Sequence, residues 1–212
     1  MLDWGLTAMN HQNRSGGFSL VELMAVMGIM MIVSAFFLLN GTTIQASSRV
    51  ESAYKTVLEE VRQARQAAVD ERRVYRITFQ APRTIITELL PRGNGACAYN
   101  PAVPKRIETL PFDIQFRAEP GIPTSPGQTP DSLGTGGNAI DFDIGFGGGA
   151  TQIYFQPDGS AQDNLCRVNN GLVYMARTGQ LTSSRAVSLL GTTGRIKGWQ
   201  LQVNANGTKQ WQ

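Results

Sequence analysis

Glu22 is the only ionisable side chain among the 22 residues from Phe18 to Leu39, whose other members are apolar or small. At about 1.5 Å per residue a helix of that length crosses a bilayer core of roughly 30 Å. A carboxyl group in hydrocarbon costs on the order of 2.5 to 3.5 kcal/mol, so Glu22 calls for a cationic partner. The segment itself offers none. A cut between Gly17 and Phe18 would create one, because the new α-amino group would stand four residues before Glu22. In a bundle of staggered parallel helices, Glu22 of one subunit would meet the amino terminus of the next. Both charges would be neutralised and the axial register fixed.

Other catalytic chemistry is scarce. His11 is the only histidine and precedes that cut, so the processed chain would lack an imidazole for a metal or for a triad. Cys97 and Cys166 cannot alone complete a four-ligand zinc site. The glycine cluster Gly145 to Gly149 lacks the Lys-Ser/Thr and the helix that a phosphate cradle needs, and no dinucleotide fingerprint appears. These features describe a non-enzyme with no cofactor and no metal.

The formal charge of +3 is modest, but its distribution is uneven. Residues 108 to 163 carry eight acids and only Arg117 as a base, whereas after Asp163 there are six bases and no acid.

The elements that must position these residues follow from periodicity. From Ser47 to about Arg73 the helix continues in amphipathic form, with Val50, Ala53, Tyr54, Val57, Leu58, Val61, Ala64 and Ala68 on one face. Glu51 and Lys55 form an i,i+4 pair on the other face, and no proline precedes Pro82. The period then changes to two. Val74 to Phe79, the turn Ala81-Pro82-Arg83 and Thr84 to Leu90 read as a hairpin laid on the apolar helix face. Further strands are expected at Phe112 to Ala118, Ile140 to Phe146, Thr151 to Gln156, Leu172 to Arg177, Arg185 to Leu190, Arg195 to Val203 and Thr208 to Gln212. Residues 119–149, rich in glycine and proline, read as a loop or a partly disordered excursion.

The run Gly17-Phe18-Ser19-Leu20-Val21-Glu22-Leu23 resembles the class III signal of type IV pilins and type II secretion pseudopilins. A plain signal anchor is the competing reading, but the apolar core is longer than a secretory signal's and no Ala-x-Ala site follows it. The resemblance implies removal of a leader after Gly17, N-methylation of Phe18 and a role for Glu22 in assembly. Charge does not set the orientation, because Asp3 and Arg14 cancel in the positive-inside count and Arg49 lies beyond the span; a cytoplasmic leader is what the resemblance implies.

A second resemblance lies further along. Ile153-Tyr154-Phe155-Gln156-Pro157-Asp158-Gly159-Ser160, Arg185-Ala186-Val187-Ser188-Leu189 and Thr193-Gly194-Arg195-Ile196-Lys197 are similar to the carboxy-terminal half of the GspH/FimT domain. The likeness spans most of the chain outside residues 91 to 150, and the hairpin Gly198 to Gln212 departs from the shorter family pattern. It implies an α+β fold, type IV pilin-like, with a long helix packed on a β-sheet or β-sandwich domain. The expected organisation is a leader at 1–17, a transmembrane half-helix at 18–41, an amphipathic half at 42–73 and a β-rich domain at 74–212.

The function so implied is a minor pilin or pseudopilin of the bacterial inner membrane, at a filament tip and helping to start assembly. Its partners would be other pilin subunits, prepilin peptidase and the inner-membrane platform. In an oxidising compartment Cys97 and Cys166 are expected to bridge, the alternative being two buried thiols. Some FimT-like pilins are implicated in DNA uptake through a Gly-Arg-x-Arg element. Here it reads Gly194-Arg195-Ile196-Lys197, so a DNA-binding patch would draw on Arg185, Arg195, Lys197 and Lys209, with Trp199 and Trp211 to stack on bases; the alternative is a scaffold turn beside a solvated charged face, with the two tryptophans packed in a hairpin core.

Overall fold

The structure is a computed structural model that describes residues 18–94, 97–125 and 127–212, with the side chains at positions 37–44 outside the description. The chain divides into two compact units, Met1–Ile44 and Gln45–Gln212. Helix α1 is assigned over Leu20–Glu71. It stops where Arg72 turns to a left-handed backbone with φ 53°. In the first unit the large apolar side chains described between Phe18 and Phe36 are exposed, from 47% at Val26 to 82% at Phe18. Among the described residues no helix is long and apolar enough to cross a membrane. The span expected at 18–41 runs into positions whose side chains lie outside the described residues.

In the second unit the expected stripe is the buried one. Val50, Ala53, Val57, Val61, Ala64 and Ala68 join the main core, with Tyr54 and Leu58 packed at its margin. Alanines at three of these positions let the backbone of the helix approach the sheets closely.

Eleven strands are present among the described residues: β1 Val74–Gln80, β2 Thr84–Leu90, β3 Val103–Thr109, β4 Ile114–Phe116, β5 Ile140–Asp141, β6 Gln152–Phe155, β7 Ala161–Gln162, β8 Gly171–Arg177, β9 Arg185–Leu190, β10 Arg195–Val203 and β11 Lys209–Trp211. They form two antiparallel sheets, ordered β3-β2-β1-β6-β7 and β11-β10-β9-β8-β4, with β5 also pairing β8. In the hairpin β1–β2, Ile77, Phe79, Ile85 and Leu89 enter the same core as the helix stripe. That alternation is what the period of two encoded.

The second sheet is covered on both faces. Val173 and Met175 of β8 face the main core, while Leu172 and Tyr174 face a smaller one with Ile122, Ala186, Leu201 and Trp211. Residues 118–133 supply the outer cover, since Ala118, Ile122 and Leu133 all pack into that second cluster. Most of the segment 119–149 has no regular structure beyond a 3-10 turn at Pro130–Ser132 and β5, yet part of it is a lid on a core.

Boundaries differ where burial, not propensity, decides. The strand expected over Phe112 to Ala118 shortens to β4, and the one over Ile140 to Phe146 shortens to β5. Positive φ at Asp143, Gly145 and Gly147 turns the chain away after β5. Strands β3 and β7 were not expected.

Candidate functional site

The amino-terminal site is carried by Gly17, Phe18 and Glu22. Gly17 lies outside the described residues, while Phe18 is exposed and stands two residues before the first residue of the helix, Leu20. Glu22 is the acid of the first helical turn, where the helix dipole favours a negative charge. Leu23 N donates to Ser19 O at 3.1 Å, closing that turn. Ser19-Leu20-Val21-Glu22 also has the residue types of a capping box. The carboxylate is exposed, so it is open to a partner outside the chain.

The two glycine turns of the soluble unit converge on one helix residue. Arg65 Nε donates to Gly159 O at 3.0 Å and its Nη2 donates to Thr193 O at 3.2 Å. Gly159 and Gly194 both have left-handed backbones, with φ of 81° and 62°. A β-carbon on Gly194 would collide with Gly159 O and the Arg65 side chain. The Phe-x-Pro-x-Gly turn and the Gly-Arg turn are thus one piece of scaffold, pinned to the helix.

The residues expected to contact DNA do not form one patch. Arg195, Lys197 and Trp199 alternate along β10 on its outer face, and the pairing of Val203 with Lys209 and Leu201 with Trp211 puts Lys209 and Trp211 on that face too. Arg185 pairs opposite Gln200, which places it on the helix face near Glu51 and Tyr54. Burial depresses its guanidinium below the ordinary value, with Glu51 and Tyr54 opposing.

On the outer face the charges are largely engaged. Arg195 Nη2 meets Asp131 Oδ1 at 2.8 Å. Lys197 Nζ lies 3.6 Å from the centre of the Trp199 ring, a cation–π contact, and Lys209 Nζ donates to Gly121 O at 2.9 Å. Trp211 is buried against Tyr174 with ring centres 5.7 Å apart. Ser188 links the pieces, donating to Asp131 Oδ2 and accepting from Trp199 Nε1 at 2.9 Å. Asp131 was not singled out in the sequence because it is 57 residues from Ser188 and 64 from Arg195.

Further ties hold the helix to the sheets. Glu60, only 6% exposed, accepts from Arg106 Nη1 at 2.6 Å and from Thr87 Oγ1 at 3.1 Å. Arg49 grips Asp113 at 3.0 Å, and Arg177 reaches the same carboxylate at 3.5 Å. Burial pushes the Asp113 carboxyl up, but the Arg49 hydrogen bonds and the two guanidinium charges outweigh it and hold the group below its ordinary value. Cys97 and Cys166 are joined, with Cα atoms 5.8 Å apart. Among the described residues no group of histidine, cysteine and acidic side chains could hold a metal ion.

Against known proteins, the prokaryotic N-terminal methylation motif matches residues 12–38. No curated protein matches the chain significantly. Among solved structures it is similar to the type IV minor pilin FimU of Pseudomonas aeruginosa, with TM-score 0.44, 14% identity and coverage of 71% of this chain and 87% of that one. It is also similar to the minor pseudopilin EpsH of the Type 2 Secretion System of Vibrio cholerae, with TM-score 0.38, 12% identity and coverage of 77% and 96%. The motif marks a chain that is itself processed, not an enzyme that processes others. The matched stretch, residues 12–38, takes in Gly17, Phe18 and Glu22, the three residues of the amino-terminal site.

Proposed function

We propose that the chain is a minor pilin or pseudopilin of the GspH/FimT type, a structural subunit of a type IV pilus or a type II secretion filament. The observation that carries this is Glu22, an exposed carboxylate in the first helical turn, four residues after Phe18 and inside the methylation motif. The apolar side chains from Phe18 to Phe36 support it, because a contiguous exposed apolar surface must be covered by lipid or by other helices. In this reading prepilin peptidase cuts after Gly17 and Phe18 is methylated. The helix then inserts once in the inner membrane, with the second unit in the periplasm, until the platform passes the subunit to neighbouring pilins.

The GspH/FimT resemblance supports a place at the filament tip and a part in starting assembly. The test is incorporation: Glu22→Ala should insert in the membrane and be processed, yet be missing from sheared filaments or from cross-linked pseudopilin complexes. Normal incorporation of that variant would defeat the charge-pairing account.

DNA uptake through the basic end is the second reading. Exposed Lys197, stacked on Trp199, favours it, and the engagement of Arg195 by Asp131 weighs on the other side. Salt-dependent DNA binding that disappears in an Arg195→Ala/Lys197→Ala variant would support it, and binding unchanged in that variant would exclude it.

A further inference from the structure

Four acids are buried among the described residues: Glu60, Glu119, Asp141 and Asp163. Three of them meet an arginine, Glu60 with Arg106, Glu119 with Arg117 and Asp163 with Arg167. Asp141, on β5 and only 4% exposed, meets none. Its Oδ1 accepts from Gly149 N at 2.7 Å, and no other hydrogen bond or ion pair among the described residues reaches the carboxylate. A buried carboxylate without a cation is costly, because nothing replaces the hydration it gave up.

Asp141 lines a cleft of about 410 Å³ between the segment 132–138 and the glycine-rich turn that follows β5. Its Oδ2, unpartnered and not sealed from solvent, opens to that cleft. No arginine or lysine lines the walls, so neither wall answers the charge. They offer oxygen instead. Ser132, Thr135 and Asn138 are exposed on one side, and the backbone of Gly145, Gly147 and Gly148 forms the other. The carbonyl oxygens of these glycines accept no backbone hydrogen bond from the described residues. Positive φ at all three, 101°, 123° and 69°, folds the turn back toward Asp141. A β-carbon on Gly148 would stand 2.9 Å from Asp141 Oδ1, and one on Gly149 would stand 3.4 Å from Asn138 Nδ2. Carboxylate and amide therefore meet at the same turn.

We propose that this cleft binds a calcium ion. Asp141 supplies the charge, and the Asn138 amide oxygen, the Ser132 and Thr135 hydroxyls and the glycine carbonyls supply neutral oxygens. Calcium takes about six to eight oxygens in flexible geometry, which an irregular loop with added waters can meet, whereas magnesium demands a near-ideal octahedron. A transition metal would call for imidazole or thiolate, and the walls have neither. With one carboxylate the site is unlike a cluster of acids, and its affinity belongs in the weak range of extracellular modules, about 10⁻⁴ to 10⁻³ M. The proposal stands on the cleft alone and does not depend on the assembly role.

The test uses the full chain in a neutral detergent, titrated calorimetrically with calcium chloride and, separately, with magnesium chloride. The expected result is one saturable calcium site with Kd of about 0.1 to 1 mM and magnesium at least about tenfold weaker. Calcium at about 10 mM should also raise the thermal unfolding midpoint by roughly 3 °C or more. Asp141→Asn keeps an acceptor for Gly149 N and should weaken calcium by about tenfold or more. Asn138→Ala, at an exposed position, should weaken it several-fold and decides the matter if circular dichroism shows Asp141→Asn unfolded. No saturable calcium binding up to about 10 mM, or magnesium binding as tightly as calcium, overturns the proposal. Calcium binding unchanged in folded Asp141→Asn, or in Asn138→Ala where the first variant does not fold, overturns it as well.

Discussion

The carbonyl oxygen of Gly159 occupies the space that a β-carbon on Gly194 would need. Gly194 also has φ 62°, a conformation costly for other residues. Gly194→Ala should therefore destabilise the soluble unit by about 2 to 5 kcal/mol, from backbone strain plus overpacking. Urea unfolding followed by circular dichroism measures it, and a loss under about 0.5 kcal/mol would show that the two turns can separate.

Arg65 holds both turns through their carbonyl oxygens. Arg65→Ala should cost about 1 to 3 kcal/mol, because two acceptors lose a charged donor. Combined with Gly194→Ala it should be less than additive, since both changes disrupt one contact.

Glu60 is a buried acid on the helix, and Arg106 on β3 supplies its cation. The Arg106 guanidinium is raised by its hydrogen bond to Glu60 and by that charge. Arg106→Ala would leave the carboxylate with Thr87 as partner and should cost about 1 to 2 kcal/mol, discounted for the exposure of the arginine. Edge strand β3 should then exchange its amide protons faster than β2 does.

Acid should loosen the domain through Asp113 and Asp163. Burial raises the Asp163 carboxyl, but hydrogen bonds from Arg167 and Leu165 hold it, like Asp113, below the ordinary value of 3.8. With the folded values depressed, their stabilisation is complete above that ordinary value and disappears as pH falls through the lower folded values. Asp143 runs the other way, since burial, opposed by Arg167 and reinforced by Asp163, leaves it raised. Unfolding midpoints should drop between about pH 5 and pH 2, and Asp113→Asn should flatten that slope.

The bridge between Cys97 and Cys166 spans 69 positions of sequence. On the chain-entropy account its reduction should cost up to roughly 4 kcal/mol. Protein unfolded without reductant should take up no alkylating agent, and two alkylated thiols would reject the pairing.

The sequence revealed the helix stripe and the β1–β2 hairpin because each has a strong period and buries one face. Strand β3 was hidden for the opposite reason. Val103, Pro104, Lys105, Arg106 and Ile107 are exposed, and an edge strand that contains a proline and charges has no alternation to read. The second core was hidden because Ile122 and Leu133 stand isolated in a glycine- and proline-rich segment whose partners on β8 and β10 are remote in sequence. The basic residues after Asp163 were visible as a charge run, but which face of the sheet each occupies depends on strand register. That register separates Arg185 from Arg195 and brings Asp131 between Arg195 and Ser188.

The central claim is that proteolysis after Gly17 makes the amine that Glu22 of a neighbouring subunit requires. Intact mass spectrometry of the protein purified from native filaments or envelopes tests it most directly. The expected species begins at Phe18 and carries one methyl group on its α-nitrogen. An assembled, working protein whose mass begins at Met1 would contradict it.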